Sequence, residues 1–299
     1  MTLTVRVAVP RKGRPLEAVL ERLATNVGVD DLADEISSTL RYEKSVTKGR
    51  TDPEHDVYER LADYSDLDDP TRPEFTLLRD DRDGMPRRVV FDSVEIDAGD
   101  VRLHLVGREE PFRALRTHEF ALGFDSADLV LEEVVSLDEE GIANLADVNA
   151  RIDPMESDVR VVSGLGDTVY HTLMATPETL PPKAELDRDF VRGYEGPLCI
   201  SPRYERLVEA VLGTGVLDGV DFVYPTESAE EEEAAIAEAG LGVYLTVTGS
   251  TAREYGLVLG DHLFPSETVL MENRAETTTA EEEAKELLSA PTDETQLVV

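Results

Sequence analysis

Small hydroxylated residues surround a glycine at the point where a buried strand is predicted to end and a helix to begin. The segment is Thr248-Gly249-Ser250-Thr251, and an apolar strand pattern that starts at Leu241 precedes it. Unpaired N–H groups at a helix start, together with hydroxyl groups and little side-chain bulk, form a cradle for a phosphate. The segment therefore predicts a phosphate site, and the alternative is an ordinary strand-to-helix turn capped by Thr or Ser.

A second cluster of chemically useful residues follows the first predicted strand. Residues 4–9 alternate between apolar and polar side chains and lead into the basic turn Lys12-Gly13-Arg14. In open α/β sheets, ligands bind outside the carboxyl ends of the strands, where two cations can bind a diphosphate or triphosphate. Lys12 and Arg14 are therefore candidate substrate-binding residues, and plain surface charges are the alternative.

No catalytic residue can be named from motifs. The sequence contains no nucleophile elbow, no Walker loop and no dinucleotide-binding fingerprint. The lone cysteine, Cys199, is predicted to be a core residue. The histidines do not occur at metal-ligand spacing, so no metal-ligating residue is predicted. They are His55, His104, His118, His171 and His262.

Short apolar strands alternate with helical patterns along most of the chain, which is typical of α/β proteins. Residues 41–74 are polar and broken by prolines, so they are predicted to form an irregular insertion. Asp83-Gly84 predicts a hairpin turn. After Asn273 the residues are mostly Thr, Glu and Ala, which predicts a solvated helix or a disordered acidic tail.

The charge balance limits the classes of partner. The 299 residues include 64 acidic and 29 basic side chains, giving a formal net charge of −35. Dense counterions make such repulsion tolerable, because the Debye length falls to about 3 Å at 1 M salt. We therefore expect a salt-adapted, cytoplasmic protein. Neither a nucleic acid nor a membrane is an expected partner, because no basic surface or long apolar segment is evident.

Four segments together resemble the ATP phosphoribosyltransferase family of histidine biosynthesis. They are the opening strand with Lys12-Gly13-Arg14, residues 105–130 with Arg108, Glu109 and Asp128, residues 172–178, and residues 240–273 with the Thr248–Thr251 loop. The last segment is the most specific of the four. In order, the four segments extend over residues 4–273.

The resemblance implies an α/β fold of two lobes with crossover strands, like a type 2 periplasmic binding protein. On this basis, lobe I is predicted to span residues 1–175, with the insertion at about 41–74. Lobe II, with the phosphate loop, is predicted to span residues 176–258. Residues 259–274 would return to lobe I, and residues 275–299 would form the acidic tail.

The resemblance also implies a reaction and its ligands. N1 of the ATP adenine would displace diphosphate from 5-phosphoribosyl 1-diphosphate, with Mg²⁺ on the leaving group. The Thr248–Thr251 loop would hold the 5-phosphate, and Lys12, Arg14 and Arg108 would bind nucleotide or diphosphate charge. The expected assembly is a homo-oligomer or a complex with a separate regulatory subunit.

One departure from the family pattern keeps an alternative function open. The family has an acidic residue in the strand before the phosphate loop, whereas this chain has Tyr244 there. Glu227 is a candidate replacement. A non-catalytic paralogue that binds phosphoribosyl diphosphate or a nucleotide, as a sensor or regulator, would fit this loss. Another phosphoribosyl or small-anion reaction on the same fold is the third alternative.

Overall fold

The computed structural model describes residues 3–78, 88–137, 145–213, 219–225 and 232–289. Their helices and strands in chain order are β1 (Leu3–Pro10), α1 (Gly13–Val27), α2 (Asp30–Thr47), α3 (Val57–Tyr64), β2 (Glu74–Leu78), β3 (Arg88–Ala98), β4 (Val101–Arg108), α4 (Pro111–Arg116), β5 (Leu122–Ser126), α5 (Ala127–Glu133), α6 (Leu145–Ala150), β6 (Val159–Gly164), β7 (Val169–Ala175), α7 (Arg188–Arg192), β8 (Gly196–Cys199), α8 (Glu205–Leu212), β9 (Val220–Val223), α9 (Glu232–Ala239), β10 (Leu241–Thr246), α10 (Ser250–Glu254), β11 (Val258–Ser266), β12 (Thr268–Asn273) and α11 (Thr279–Leu288). A 3₁₀ helix, Pro202–Tyr204, precedes α8.

The chain forms two compact units. Among the described residues, unit 1 contains 3–126, 154–167 and 268–289, and unit 2 contains the intervening segments. Unit 1 is built on a seven-stranded sheet with the order β2-β3-β4-β1-β5-β12-β6. Unit 2 is built on a five-stranded sheet with the order β11-β7-β10-β8-β9. The chain therefore crosses between the units several times, and the predicted α/β class with two lobes and crossover strands, as in type 2 periplasmic binding proteins, is confirmed.

The unit 1 sheet brings the carboxyl ends of three parallel strands to one edge. Strand β1 pairs in parallel with β4 and β5, and Pro10 at its end lies opposite Arg108 at the end of β4. The alternate residues Val5, Val7 and Val9 of β1 are fully buried. They belong to one core cluster with the apolar stripe of α1, so burial of both patterns places the basic turn at the sheet edge.

The unit boundaries differ from the predicted lobes. Residues 127–153 and 168–175 were assigned to lobe I, but they lie in unit 2, and residues 259–267 also lie in unit 2. The reason is that β7 and β11 pair with each other along most of their length, and β7 also pairs with β10. Of the predicted return segment, residues 259–274, only the part that contains β12 joins the unit 1 sheet, where β12 lies between β5 and β6.

The predicted acidic tail is a helix packed on unit 1 as far as it is described. Helix α11 begins with a capping box formed by Thr278 and Glu281. Ala284 and Leu288 are fully buried in the unit 1 core. The Lys285 ammonium lies 2.6 Å from a Glu272 carboxylate oxygen on β12. The apolar stripe and this ion pair fix the helix despite its acidic composition.

The predicted irregular insertion at residues 41–74 contains regular structure. Helix α2 extends to Thr47, and α3 begins with a capping box in which Asp56 and Glu59 bond reciprocally to the backbone. Strand β2 then pairs antiparallel with β3. The predicted turn at Asp83-Gly84 lies outside the described residues. None of the described helices has both the length and the apolar character needed to cross a bilayer.

A buried ion pair joins α2 to α3. Arg60 Nε and Nη2 donate to the two carboxylate oxygens of Glu43 at 2.7 and 2.8 Å, and the Tyr64 hydroxyl donates to the same carboxylate at 2.9 Å. Both charged side chains are buried. The hydrogen bond to Glu43 raises the pKa of Arg60, so the guanidinium stays charged. Burial, followed by the bond to Glu43, raises the pKa of Tyr64 to about 12.

We predict that Arg60→Ala destabilises the protein by about 3–5 kcal/mol, because the substitution leaves the Glu43 charge buried without its partner. Urea unfolding in concentrated KCl would measure the loss. The matched control is Arg72→Ala, which removes an exposed ion pair with Glu35 at 3.4 Å. The control should lose no more than about 1 kcal/mol. Equal losses in the two variants would contradict the prediction.

Candidate functional site

Lys12 lies at the predicted position, at the carboxyl edge of the unit 1 sheet. It is the N-cap residue of α1, and Gly13 follows with a φ of 79°, a left-handed conformation that favours glycine. The Lys12 ammonium lies 3.8 Å from a carboxylate oxygen of Glu109, and both side chains are nearly half exposed. Such an exposed pair is weak. An anion can therefore compete with Glu109 for this ammonium at little cost.

Arg14 is held inside unit 1 by Asp167. Its Nη1 donates to the Asp167 carbonyl oxygen at 2.6 Å and also forms an ion pair with the carboxylate. The same carboxylate accepts the backbone N–H and the hydroxyl of Thr268 at 2.8 and 2.7 Å. The charge of Arg14 is thus neutralised by a neighbour that is far away in sequence. Its predicted contact with substrate charge stays a prediction.

Arg108 shares an aromatic neighbour with a second arginine that the motifs did not indicate. Its guanidinium carbon lies 4.9 Å from the centre of the Phe120 ring, and that of Arg6 lies 4.5 Å from the same centre. Phe120 is buried, whereas Arg6 is exposed. Arg6 and Pro10 lie on the same face of β1 because side chains alternate along a strand, and Pro10 pairs with Arg108. This alternation was the signal that could have indicated Arg6 as a neighbour of Arg108. The structure therefore brings Arg108 and Arg6 together on one aromatic ring of unit 1.

The Thr248–Thr251 loop lies in unit 2, where β10 ends and α10 begins. Gly249 is the N-cap residue of α10 and has a φ of 67°. A Cβ added to it would lie 2.4 Å from Leu259 Cδ1 on β11. The backbone conformation therefore favours glycine, and any larger residue would also require the Leu259 side chain to shift.

The loop presents donors for an anion. Within the part of the chain that the structure describes, the N–H groups of Gly249 and Thr251 have no acceptor. The Ser250 N–H makes only a long bond, 3.4 Å, to the Thr248 hydroxyl. Arg253 folds back and donates Nη2 to the Thr248 carbonyl oxygen at 2.8 Å, which places a guanidinium beside the loop. Arg253 was missed by the motif search, although its place in the first turn after the glycine was a usable signal.

The carboxylate expected before this loop is absent from the described residues. Tyr244 lies half-buried on β10, and Glu227 is outside the described residues. No group of three or more His, Cys, Asp or Glu side chains that could hold a metal is found among the residues that the structure describes. Mg²⁺ prefers carboxylates together with substrate phosphates. The residues of this loop, with their hydroxyl and N–H groups, do not fit a protein-held Mg²⁺ site.

The remaining candidates for chemistry have structural partners. His171 Nε2 lies 2.8 Å from Asp128 Oδ2, and both side chains are buried. Cys199 is a buried free thiol in the unit 2 core, as predicted. Burial, with a smaller contribution from Glu232, raises the pKa of the Cys199 thiol to about 11. A thiol that stays protonated at neutral pH is a poor nucleophile.

Comparison with solved structures finds several similar chains. The chain is similar to the ATP phosphoribosyl transferase (HisG:HisZ) complex from Thermotoga maritima, with 16% identity over 95% of this chain and 96% of that chain and a TM-score of 0.45. It is also similar to the VFT2 domain of Bordetella pertussis BvgS, with 14% identity over 97% and 89% of the two chains and a TM-score of 0.41. A third similar structure is the MetR regulatory domain from N. meningitidis, with 11% identity over 95% of this chain and 92% of that chain and a TM-score of 0.37. No curated protein matches the chain.

The family follows from the sequence match over the whole chain. The model of the halobacterial ATP phosphoribosyltransferase family matches residues 1–299. The chain belongs to this family, and the resemblance found from its four segments is confirmed.

We predict that the Cys199 thiol resists alkylation by iodoacetamide at pH 8 while the protein is folded and reacts readily after denaturation. Its raised pKa contributes stability that is complete below the unfolded value, 9.0, and is lost as the pH rises towards 11. The unfolding free energy measured from pH 8 to pH 11 should therefore fall more steeply for the parent than for Cys199→Ala. Rapid alkylation of the folded protein would contradict this prediction.

Two glycines with positive φ provide a test of the loop geometry. Gly249→Ala combines a φ of 67° with the clash against Leu259, whereas Gly256→Ala has a φ of 72° and open space around it. We expect Gly256→Ala to lose about 1 kcal/mol through backbone strain alone. Gly249→Ala should lose clearly more, and its thermal unfolding midpoint should be the lower of the two. Similar midpoints would show that the loop does not pack tightly on β11.

Proposed function

We propose that this chain transfers the phosphoribosyl group of 5-phosphoribosyl 1-diphosphate to N1 of the ATP adenine, which is the first step of histidine biosynthesis. The family match supports the reaction. The observation that carries it is the Thr248–Thr251 loop: its Gly249 and Thr251 N–H groups have no acceptor among the described residues, and Arg253 lies beside it, an arrangement that suits a bound phosphate.

In the proposed reaction, the lone pair of adenine N1 forms a bond to ribose C1 while the bond from C1 to the diphosphate oxygen breaks. The electron pair leaves with the diphosphate. Such a step needs orientation and neutralisation of the departing charge rather than a covalent nucleophile. This fits a chain whose cysteine is buried and whose motifs contain no nucleophile. Mg²⁺ would arrive with the diphosphate as part of the substrate.

The proposed roles of the residues follow their positions in each unit. The loop residues Thr248, Gly249, Ser250 and Thr251 would hold the 5-phosphate, with Arg253 beside it. Lys12 and Arg108 would bind diphosphate or nucleotide charge at the edge of the unit 1 sheet. Arg14 would join them only by exchanging its bond to Asp167 for a substrate charge.

The alternative is a protein that binds phosphoribosyl diphosphate or a nucleotide without transferring it. Tyr244 favours this alternative, because a phenol replaces the carboxylate that the family places before the loop. In either case we propose assembly as a homo-oligomer or with a separate regulatory subunit, and a cytoplasmic location. The salt-adapted character inferred from the net charge also belongs to this proposal.

Calorimetric titration with 5-phosphoribosyl 1-diphosphate in concentrated KCl and Mg²⁺, followed by an assay for phosphoribosyl-ATP, tests the proposal. We expect Thr251→Val to weaken binding about ten- to hundredfold, the usual effect of losing a hydrogen bond to a charged group. Ser38→Ala, which removes an exposed hydroxyl of α2, is the control and should bind normally.

The outcomes separate the alternatives. Turnover establishes the transferase and shows that Tyr244 does not prevent it. Binding without turnover, repeated with a candidate regulatory subunit, favours the sensor. Unchanged binding by Thr251→Val removes the loop from the phosphate site.

A further inference from the structure

Two aromatic rings of unit 2 form an exposed stack, which we call the aromatic shelf. The Tyr170 and His262 rings lie 4.6 Å apart between centres, with an interplanar angle of 23°. Tyr170 is 38% exposed and His262 is also exposed. A second stack in the same unit, His171 on Phe264, is buried and contributes to the core. The Tyr170–His262 stack differs because its outer faces remain open to solvent.

The backbone is shaped to present His262. The pairing of β11 with β7 shifts register on both sides of His262. One shift lies between Leu259 and His262, and the other lies between His262 and Phe264. Such bulges redirect side chains and are frequent next to active sites. Gly260 presses against Leu186, since an added Cβ would lie 2.1 Å from the Leu186 carbonyl oxygen. The strand is therefore held in this irregular path by close backbone contact.

The imidazole orientation is also fixed. His262 Nδ1 lies 2.9 Å from the hydroxyl of Thr172, and Thr172 is buried. This hydrogen bond holds the ring in its stacked position. A fixed ring loses little freedom on binding, so it suits recognition of a flat molecule.

The shelf lies next to the end of β10 from which the phosphate loop starts. Tyr170 pairs with Thr246, the last residue of β10, two positions before Thr248. Directly opposite residues in an antiparallel pair share a face. Met174 has the same parity as Tyr170 in β7 and belongs to one core cluster with Ala252 of α10. Helix α10 therefore covers the Met174 end of this face, and the shelf lies at the other end, where the loop leaves β10.

We propose that the aromatic shelf stacks the base of a ribose 5-phosphate compound whose phosphate is held by the Thr248–Thr251 loop. Aromatic side chains bind bases through their π-faces with little dependence on base identity. A ring attached to ribose C1 is what the proposed transfer produces, so this inference rests on the proposed function. It adds Tyr170 and His262 as residues that hold the acceptor base.

AMP and ribose 5-phosphate are the probes, because they share the ribose and phosphate and differ in the base. Calorimetry in concentrated KCl should show AMP binding roughly tenfold more tightly than ribose 5-phosphate. Tyr170→Ala should remove this advantage and leave ribose 5-phosphate binding unchanged, whereas Tyr170→Phe should keep it. Tyr224→Ala, at a similarly exposed tyrosine of unit 2, is the control and should behave as the parent.

Thermal unfolding of each variant checks that it is folded, and Tyr170→Phe keeps the test valid if the alanine variant is unstable. Equal affinity of the parent for AMP and ribose 5-phosphate would overturn the shelf alone. Binding of neither compound would overturn the phosphate loop and the shelf together. If the parent binds AMP more tightly than ribose 5-phosphate but shows no transferase turnover, the result would count against the proposed reaction and not against the shelf.

Discussion

The carboxylate of Asp167 is the contact on which the construction of unit 1 depends. It binds Arg14 of α1 and both the N–H and the hydroxyl of Thr268. Asp167 is the last residue of one unit 1 segment and Thr268 is the first residue of the next. One side chain therefore joins the first helix to the point where the chain leaves the unit for the second time and to the point where it then returns. On the unit 2 side of the same crossings, the Thr168 hydroxyl donates to Glu267 at 3.3 Å.

Local patterns in the sequence predicted the parts of the fold that local physics determines. The alternation in β1, the apolar stripe of α1 and the glycine at position 249 each correspond to a described feature. Helix α3 was missed and α11 was predicted only as an alternative to disorder, although each carries a capping box, because proline breaks and acidic composition outweighed that signal. The ion pair of Arg14 with Asp167 and the stack of Tyr170 on His262 join residues distant in sequence. Their geometry depends on sheet register, which no short pattern contains.

The choice of basic residue suits a protein with so much negative charge. The sequence has 24 arginines and five lysines. Arg206 shows the use of the planar group: its Nε donates to the Glu132 carbonyl oxygen at 2.6 Å and its Nη1 to that of Val135 at 3.0 Å, at the end of α5. Several donors in one rigid fork can satisfy several acceptors at once. Partly buried charges are screened less than exposed ones, so the contact of Arg206 with Val135 persists in concentrated salt.

The position of β12 has a consequence for synthesis of the chain on the ribosome. The strand lies between β5 and β6 in the unit 1 sheet, yet it is made after the strands of unit 2. Leu288, a fully buried residue of the unit 1 core, is made later still. Chains emerge from the amino terminus, and domains usually fold in that order. Here unit 1 begins first and is completed last. Its sheet therefore remains incomplete while unit 2 forms, and an incomplete sheet can aggregate. The dense negative charge of the chain opposes such aggregation through repulsion between chains.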